Sequence, residues 1–159
     1  MPPKRDIEII PAQSEEQIAL IRELFVEYAA SLDFALCFQS FEQELTALPG
    51  QYAPPDGRLL LAMDGSHSAG CIALRKIDQQ VCEMKRLFVR PAFRGLRIGR
   101  LLTERLLAEA RLIGYTRMRL DTVKSMVKAR ALYRALGFQP TEPYCFNPLP
   151  DVEYLELVL

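Results

Sequence analysis

Histidine is nearly missing from this chain: His67 is the only one in 159 residues, and the four cysteines (Cys37, Cys71, Cys82, Cys145) contain no C-x-x-C pair. Zinc-ligand spacing is therefore absent and no metal is expected. A Ser-His-Asp or Cys-His arrangement would have to rest on a histidine in a hairpin loop, which argues against that chemistry. The cysteines read as buried, reduced thiols. No apolar run approaches the ~20 residues that a membrane-spanning helix needs, so no membrane partner is expected. The opening MPPKRDIEII has a short basic patch but no apolar h-region, which points away from secretion and towards a cytoplasmic protein. G-x-x-x-x-G-K-S/T and G-x-G-x-x-G are both missing, which disfavours a P-loop nucleotidase and a dinucleotide-binding Rossmann domain. With no internal repeat, low-complexity tract or linker, residues 1–159 are expected to form one domain, long enough to bury a core.

Net charge is also absent, at twenty basic and twenty acidic side chains, but its distribution is uneven. Residues 1–57 hold ten acidic and three basic side chains, and residues 58–159 hold ten acidic and seventeen basic. Lys85, Arg86, Arg90, Arg94, Arg97 and Arg100 fall in one short segment. That clustering suggests a polyanionic partner near residues 85–100.

Periodicity supplies the elements. RDIEIIP reads as a strand closed by Pro11. Ser14 and Gln17 form a capping box for a helix to about Ser31, with Ile18, Ile21, Phe25 and Tyr28 at helical spacing. SFEQELTALPG reads as a shorter helix started by Ser40. Residues 58–63, 69–76 and 81–89 form a meander, with a hairpin loop over 64–68. Pro91 stops the third strand, and a helix runs from 99 to about 114 with Ile98, Leu102, Leu106 and Ile113 along one stripe. A strand at 117–122, a helix at 126–136 and a strand at 152–159 complete the order β-α-α-β-β-β-α-β-α-β. The fold class is α/β of the mixed α+β kind: a mostly antiparallel central sheet with helices on both faces. Ligands of such sheets bind where neighbouring connections diverge at strand carboxyl ends, and the end of the 81–89 strand is such a place.

There the chain reads RPAFRGLRIGRLL. Amides of a helix's first turn lack intrahelical partners, and the helix dipole adds partial positive charge. Glycines let an anion approach the backbone, and arginines add bidentate phosphate donors. The junction therefore reads as a pyrophosphate cradle. A solvated basic turn is the plainer alternative.

MKRLFVRPAFRGLRIGRLL followed by ALYRALGF resembles the GNAT superfamily of acyl-CoA-dependent N-acyltransferases, over nearly the whole chain. The resemblance implies a central sheet splayed at the cofactor cleft and acetyl-CoA as co-substrate. It implies that the loop Arg94, Gly95, Leu96, Arg97, Ile98 and Gly99, with Arg100, holds the CoA pyrophosphate. Arg97 stands where the family pattern has its first glycine. By the same resemblance Leu87, Phe88 and Val89 face the pantetheine arm across a splay between the 81–89 and 117–122 strands. Tyr133 matches a tyrosine that protonates the leaving thiolate, and Met126 stands where many relatives have asparagine.

Acyl transfer to an amine needs a proton acceptor, an oxyanion donor and a leaving thiolate. Glu83, a lone carboxylate in VCEMKRLFV, is the expected general base, with a structural ion pair as the alternative. The backbone N–H of Val89 or a neighbour is the expected oxyanion donor. Asp121 and Thr122 end a strand beside the cleft and stay outside the catalytic set. Glu23, Glu27, Asp33, Glu42 and Glu44 suggest an acidic mouth for a cationic amine, and Phe34, Phe38, Tyr144 and Phe146 suggest apolar walls. The expected function is N-acetylation of a primary amine on a small molecule or peptide, by a monomer or homodimer. The alternatives are a catalytically silent acyl-CoA sensor and, less well supported by a pI of about 6.6 and an apolar helix, a nucleic-acid binder.

Overall fold

The computed structural model describes residues 5–32, 34 and 40–159. Among the described residues seven strands form one sheet in the order β1-β2-β3-β4-β5-β7-β6. They are β1 (Ile7–Pro11), β2 (Arg58–Asp64), β3 (His67–Lys76), β4 (Val81–Val89), β5 (Arg117–Val123), β6 (Gln139–Pro140) and β7 (Val152–Val158). Every neighbouring pair is antiparallel except β4 and β5. That parallel pair is bridged by α3 (Ile98–Ile113), the crossover that parallel strands require.

Alternation along the strands splits the core in two. Leu60, Ala62, Ile72 and Leu74 pack with Leu102 and Leu106 of α3 and with Tyr133 of α4 (Val127–Ala135). Leu59, Leu61, Cys71 and Ala73 pack on the other face with Ile21, Leu24 and Phe25 of α1 (Glu15–Ser31) and Phe41 of α2 (Phe41–Ala47). Each such fully buried Leu or Ile contributes roughly 1.5–3 kcal/mol. Helices therefore cover both faces of the sheet.

The capping box forms as expected: Ser14 Oγ accepts from Gln17 N–H at 3.1 Å and Gln17 Oε1 accepts from Ser14 N–H at 3.0 Å. Ser40 does stand before α2, but it adopts φ 55, ψ 43 and its side chain makes no cap hydrogen bond. The expected 64–68 loop is shorter, because Asp64 and His67 pair across a turn of Gly65 and Ser66. β6 was not visible in the sequence: it has two residues, one of them proline, on the edge where a missing donor is tolerated. Cys71 and Cys82 are buried thiols, whereas Cys145 is half-buried, and Cys37 lies outside the described residues. No helix among the described residues is long and apolar enough to cross a membrane.

Candidate active site

β4 and β5 pair at only three positions, Val81 with Arg117, Cys82 with Met118 and Glu83 with Arg119. β4 then runs on to Val89 while β5 stays with β7 through Val123. A wedge opens between them. Opposite this opening, β4 approaches β3 so closely that a side chain at Gly70 would meet the Phe88 carbonyl at 2.5 Å. The register of β3 and β4 also shifts between Cys71 and Ala73, and Arg86 takes φ 63 on the β4 side. That bulge leaves one residue of β4 unpaired and bends the strand.

The ladder shows what faces the wedge. Arg90 N–H donates to Ala69 O at 2.8 Å on the β3 side. Alternation then turns the N–H and C=O of Val89 the other way, into the opening that β5 has left. Arg94 Nε donates to that Val89 carbonyl at 3.3 Å.

The wedge holds a cleft of about 670 Å³ between Leu87, Phe88 and Val89 on one wall and Met126, Val127 and Leu132 on the other. Its far end is the start of α3, lined by Arg94, Gly95, Arg97, Ile98, Gly99 and Arg100. Of the expected cofactor-binding residues only Leu96 is missing from the lining, and its side chain is exposed. Gly95 takes φ 84, which glycine alone adopts without cost. Arg97 is the N-cap of α3 at φ 62, ψ 22 and offers no side-chain cap, and the first turn holds no acidic residue. The N–H groups of Ile98, Gly99 and Arg100 therefore face the cleft with no intrahelical acceptor.

The basic cluster does not act as one group. Arg86 Nε and Nη2 hold Glu44 at 2.9 and 3.1 Å, and both side chains are buried. Arg90 holds Glu27 at 2.6 Å and the Ser68 hydroxyl at 2.8 Å. Arg100 pairs with Glu104 one turn on, at 2.8 Å. Arg94 and Arg97 are exposed and have no acidic partner among the described residues.

Glu83 is 1% exposed and lines neither cavity of the wedge. Arg75 of β3 donates to its Oε1 at 2.5 Å, Tyr144 donates to its Oε2 at 2.5 Å, and Lys85 Nζ lies 4.0 Å from Oε1. The ion pair foreseen as an alternative is thus present, with Arg75. Tyr133, on the buried side of α4, also lines neither cavity, and its ring lies 5.8 Å from that of Phe138. Burial pushes its phenol well above the usual tyrosine range, and the nearby Tyr28 and Asp121 add to this.

A second, smaller cavity of about 50 Å³ lies beside the large cleft and shares Tyr28 and Met126 with it. Phe34, Lys85, Asp121, Thr122 and Asn147 also line it. Asp121 Oδ2 accepts from Asn147 Nδ2 at 2.9 Å. Sequence reasoning placed Lys85 in the basic cluster and as a possible ion-pair partner of Glu83, and passed over Asn147, whose position becomes visible only once the segment before β7 folds back. Three members of the expected acidic mouth are committed elsewhere: Glu23 and Glu27 pair with Arg90, and Glu44 with Arg86, while Glu42 makes no ion pair among the described residues. Phe146 is 80% exposed rather than a wall, and Asp33 and Phe38 lie outside the described residues.

Residues 19–138 match the model of the Acetyltransferase (GNAT) family. An uncharacterized N-acetyltransferase of Schizosaccharomyces pombe is 37% identical over 154 residues, covering 96% of this chain and 94% of that protein. An acetyltransferase structure from Streptococcus agalactiae has TM-score 0.75 and 25% identity, covering 96% of this chain and 98% of that one. The fold also matches a putative acetyltransferase of Salmonella typhimurium, with its cofactor acetyl-CoA, at TM-score 0.74 and 20% identity, covering 96% of this chain and 93% of that one. A mixed sheet parted at one parallel pair, a helix start bare of caps at the end of the parting, and these likenesses agree: the chain belongs to the GNAT family of acetyltransferases.

Proposed function

We propose that this protein transfers an acetyl group from acetyl-CoA directly to a primary amine of a small molecule or peptide. The observation that carries the reading is the wedge between β4 and β5, which ends on the uncapped start of α3. A diphosphate there would meet three free amides and the helix dipole, with Arg94 and Arg97 beside it and Arg100 within one turn. The same fold carries acetyl-CoA in the Salmonella structure.

In this reading Leu87, Phe88 and Val89 lie along the pantetheine arm, and the Val89 N–H takes the developing oxyanion. The amine nitrogen forms a bond to the acetyl carbon, and the carbon–sulfur bond breaks. Glu83 accepts the proton that the amine loses. Because its carboxylate lines neither cavity, that proton reaches it through water. Tyr133 returns a proton to the thiolate, and its raised phenol keeps that proton available at neutral pH. Arg86, Arg90 and Glu44 hold the wall between α1, α2 and β4 in place.

The test is thiol release from acetyl-CoA with a panel of primary amines. Amine-dependent release at one thiol per acetylated product supports the reading. Tight binding of acetyl-CoA without release for any amine would leave only a binding protein.

A further inference from the structure

Lys85 has no task in the chemistry above, yet it is the most exceptional cation in the wedge. Its side chain is 13% exposed, and it makes no hydrogen bond among the described residues. Its nearest carboxylate, Glu83, is 4.0 Å away and already holds Arg75 and Tyr144. Burial lowers the affinity of this ammonium for its proton, and the charge of Glu83 only partly offsets that. The Lys85 nitrogen is not sealed off, since no fully buried side-chain nitrogen or oxygen among the described residues lacks a partner. A largely buried ammonium is therefore open to an anion entering the cavity.

Across the small cavity stands Asp121. Its Oδ2 is occupied by Asn147 and by the Cys145 thiol at 3.7 Å, and its Oδ1 accepts no hydrogen bond among the described residues. The cavity thus presents one under-committed cation and one open carboxylate oxygen. Arg86, the other cation in the lining, is held by Glu44 in a bidentate pair. At about 50 Å³, with ~10–15 Å³ per water-sized group, the space takes on the order of four such groups. The space thus takes the polar end of an acceptor rather than a whole sugar ring, and a second ammonium placed there would be repelled by Lys85.

We infer that the acceptor is an amino acid or a similar amine bearing a carboxylate next to its amino group. Its carboxylate lies on Lys85, and its amine faces Asp121 and, past Tyr28 and Met126, the large cleft. This deepens the transferase reading and rests on it. Of the acidic groups of α1 and α2 that would favour a purely cationic acceptor, Glu23 and Glu27 are paired with Arg90 and Glu44 with Arg86.

The experiment measures kcat/KM for L-amino acids against the corresponding L-amino-acid amides, with a polyamine and an aminoglycoside in the same panel. For the accepted side chains the free acid is expected to exceed the amide by tenfold or more, the scale of a charge-assisted hydrogen bond. Lys85→Met is expected to bring that ratio to about one, chiefly through KM for the acid, and Lys85→Arg to restore part of it. Acetyl-CoA affinity, read by calorimetry, is expected to stay within twofold in both variants. Should Lys85→Met fold poorly, the ratio in Lys85→Arg and the wild-type acid/amide ratio still decide. Turnover of amides or polyamines at rates equal to or above the free acids overturns the carboxylate anchor and leaves the transferase reading standing. Acetyl-CoA binding without thiol release for any member of the panel overturns both.

Discussion

Tyr144, in the segment leading to β7, donates its hydroxyl to Oε2 of Glu83 on β4 at 2.5 Å. Arg75 on the adjacent strand β3 holds the other oxygen. The carboxylate is therefore fixed from two sides, at the last position where β4 and β5 still pair. If it accepts the amine proton, Glu83→Gln lowers kcat by about 10²-fold or more. The loss of the Arg75 partner also costs about 1–3 kcal/mol, visible as a lower melting temperature. Acetyl-CoA affinity is expected to change little. A wild-type rate and pH profile in this variant would remove Glu83 from the mechanism and leave it a structural ion.

Tyr133→Phe keeps the ring against Phe138 and removes only the hydroxyl. The expected outcome is a fall in kcat of about 10²-fold with the melting temperature nearly unchanged. Because burial raises this phenol, it stays protonated through neutral and mildly alkaline pH. The wild-type rate should therefore show no loss attributable to Tyr133 up to about pH 10, the ordinary tyrosine value. An alkaline limb below that, missing in Tyr133→Phe, contradicts the assignment.

Arg97 takes a left-handed conformation where the family pattern has glycine. A non-glycine residue there costs roughly 1–2 kcal/mol, and glycine's extra chain entropy offsets part of the gain. Arg97→Gly is therefore expected to raise stability by about 1 kcal/mol in denaturant unfolding. Losing the guanidinium should weaken acetyl-CoA binding several-fold. Stability and affinity moving in opposite directions is the signature. A less stable variant would show that the Arg97 side chain matters more to the fold than its backbone strain.

The elements were largely legible in the sequence because apolar periodicity decides which face is buried, and Ser14 with Gln17 is a purely local signal. The gathering of Arg94, Gly95, Arg97 and Gly99 at the start of α3 was legible too, since they lie together in the chain. What could not be read depends on distant partners. Glu83 meets Tyr144 from 61 residues away, Arg90 meets Glu27 from 63, and Arg86 meets Glu44 from 42. The last two pairings take Glu27 and Glu44 out of the acidic mouth that composition suggested. Ser40 failed as a cap because its own backbone turned left-handed, and the side-chain rule alone does not show that.

Lys85 also links the site to stability. Burial lowers its folded-state pKa below the unfolded value, so at neutral pH the folded chain carries a charge that costs more than in the unfolded chain. That penalty is complete below the folded pKa and fades as pH rises through it towards the unfolded value near 10.4. Lys85→Met is thus expected to melt above wild type at pH 7, with the gap narrowing between neutral pH and pH 10. A gap that is absent, or that widens with pH, contradicts an under-compensated ammonium.

The most direct single measurement is isothermal titration with acetyl-CoA of the wild-type protein and Arg94→Glu. Arg94 is exposed, makes no ion pair among the described residues and lines the start of α3, so its reversal should spare the fold. The expected result is micromolar binding by wild type, weakened by about 10–100-fold or more in the variant, the scale of losing a hydrogen bond to a charged group. Equal affinity in the two proteins, or no binding by wild type, would show that the uncapped start of α3 does not hold the diphosphate.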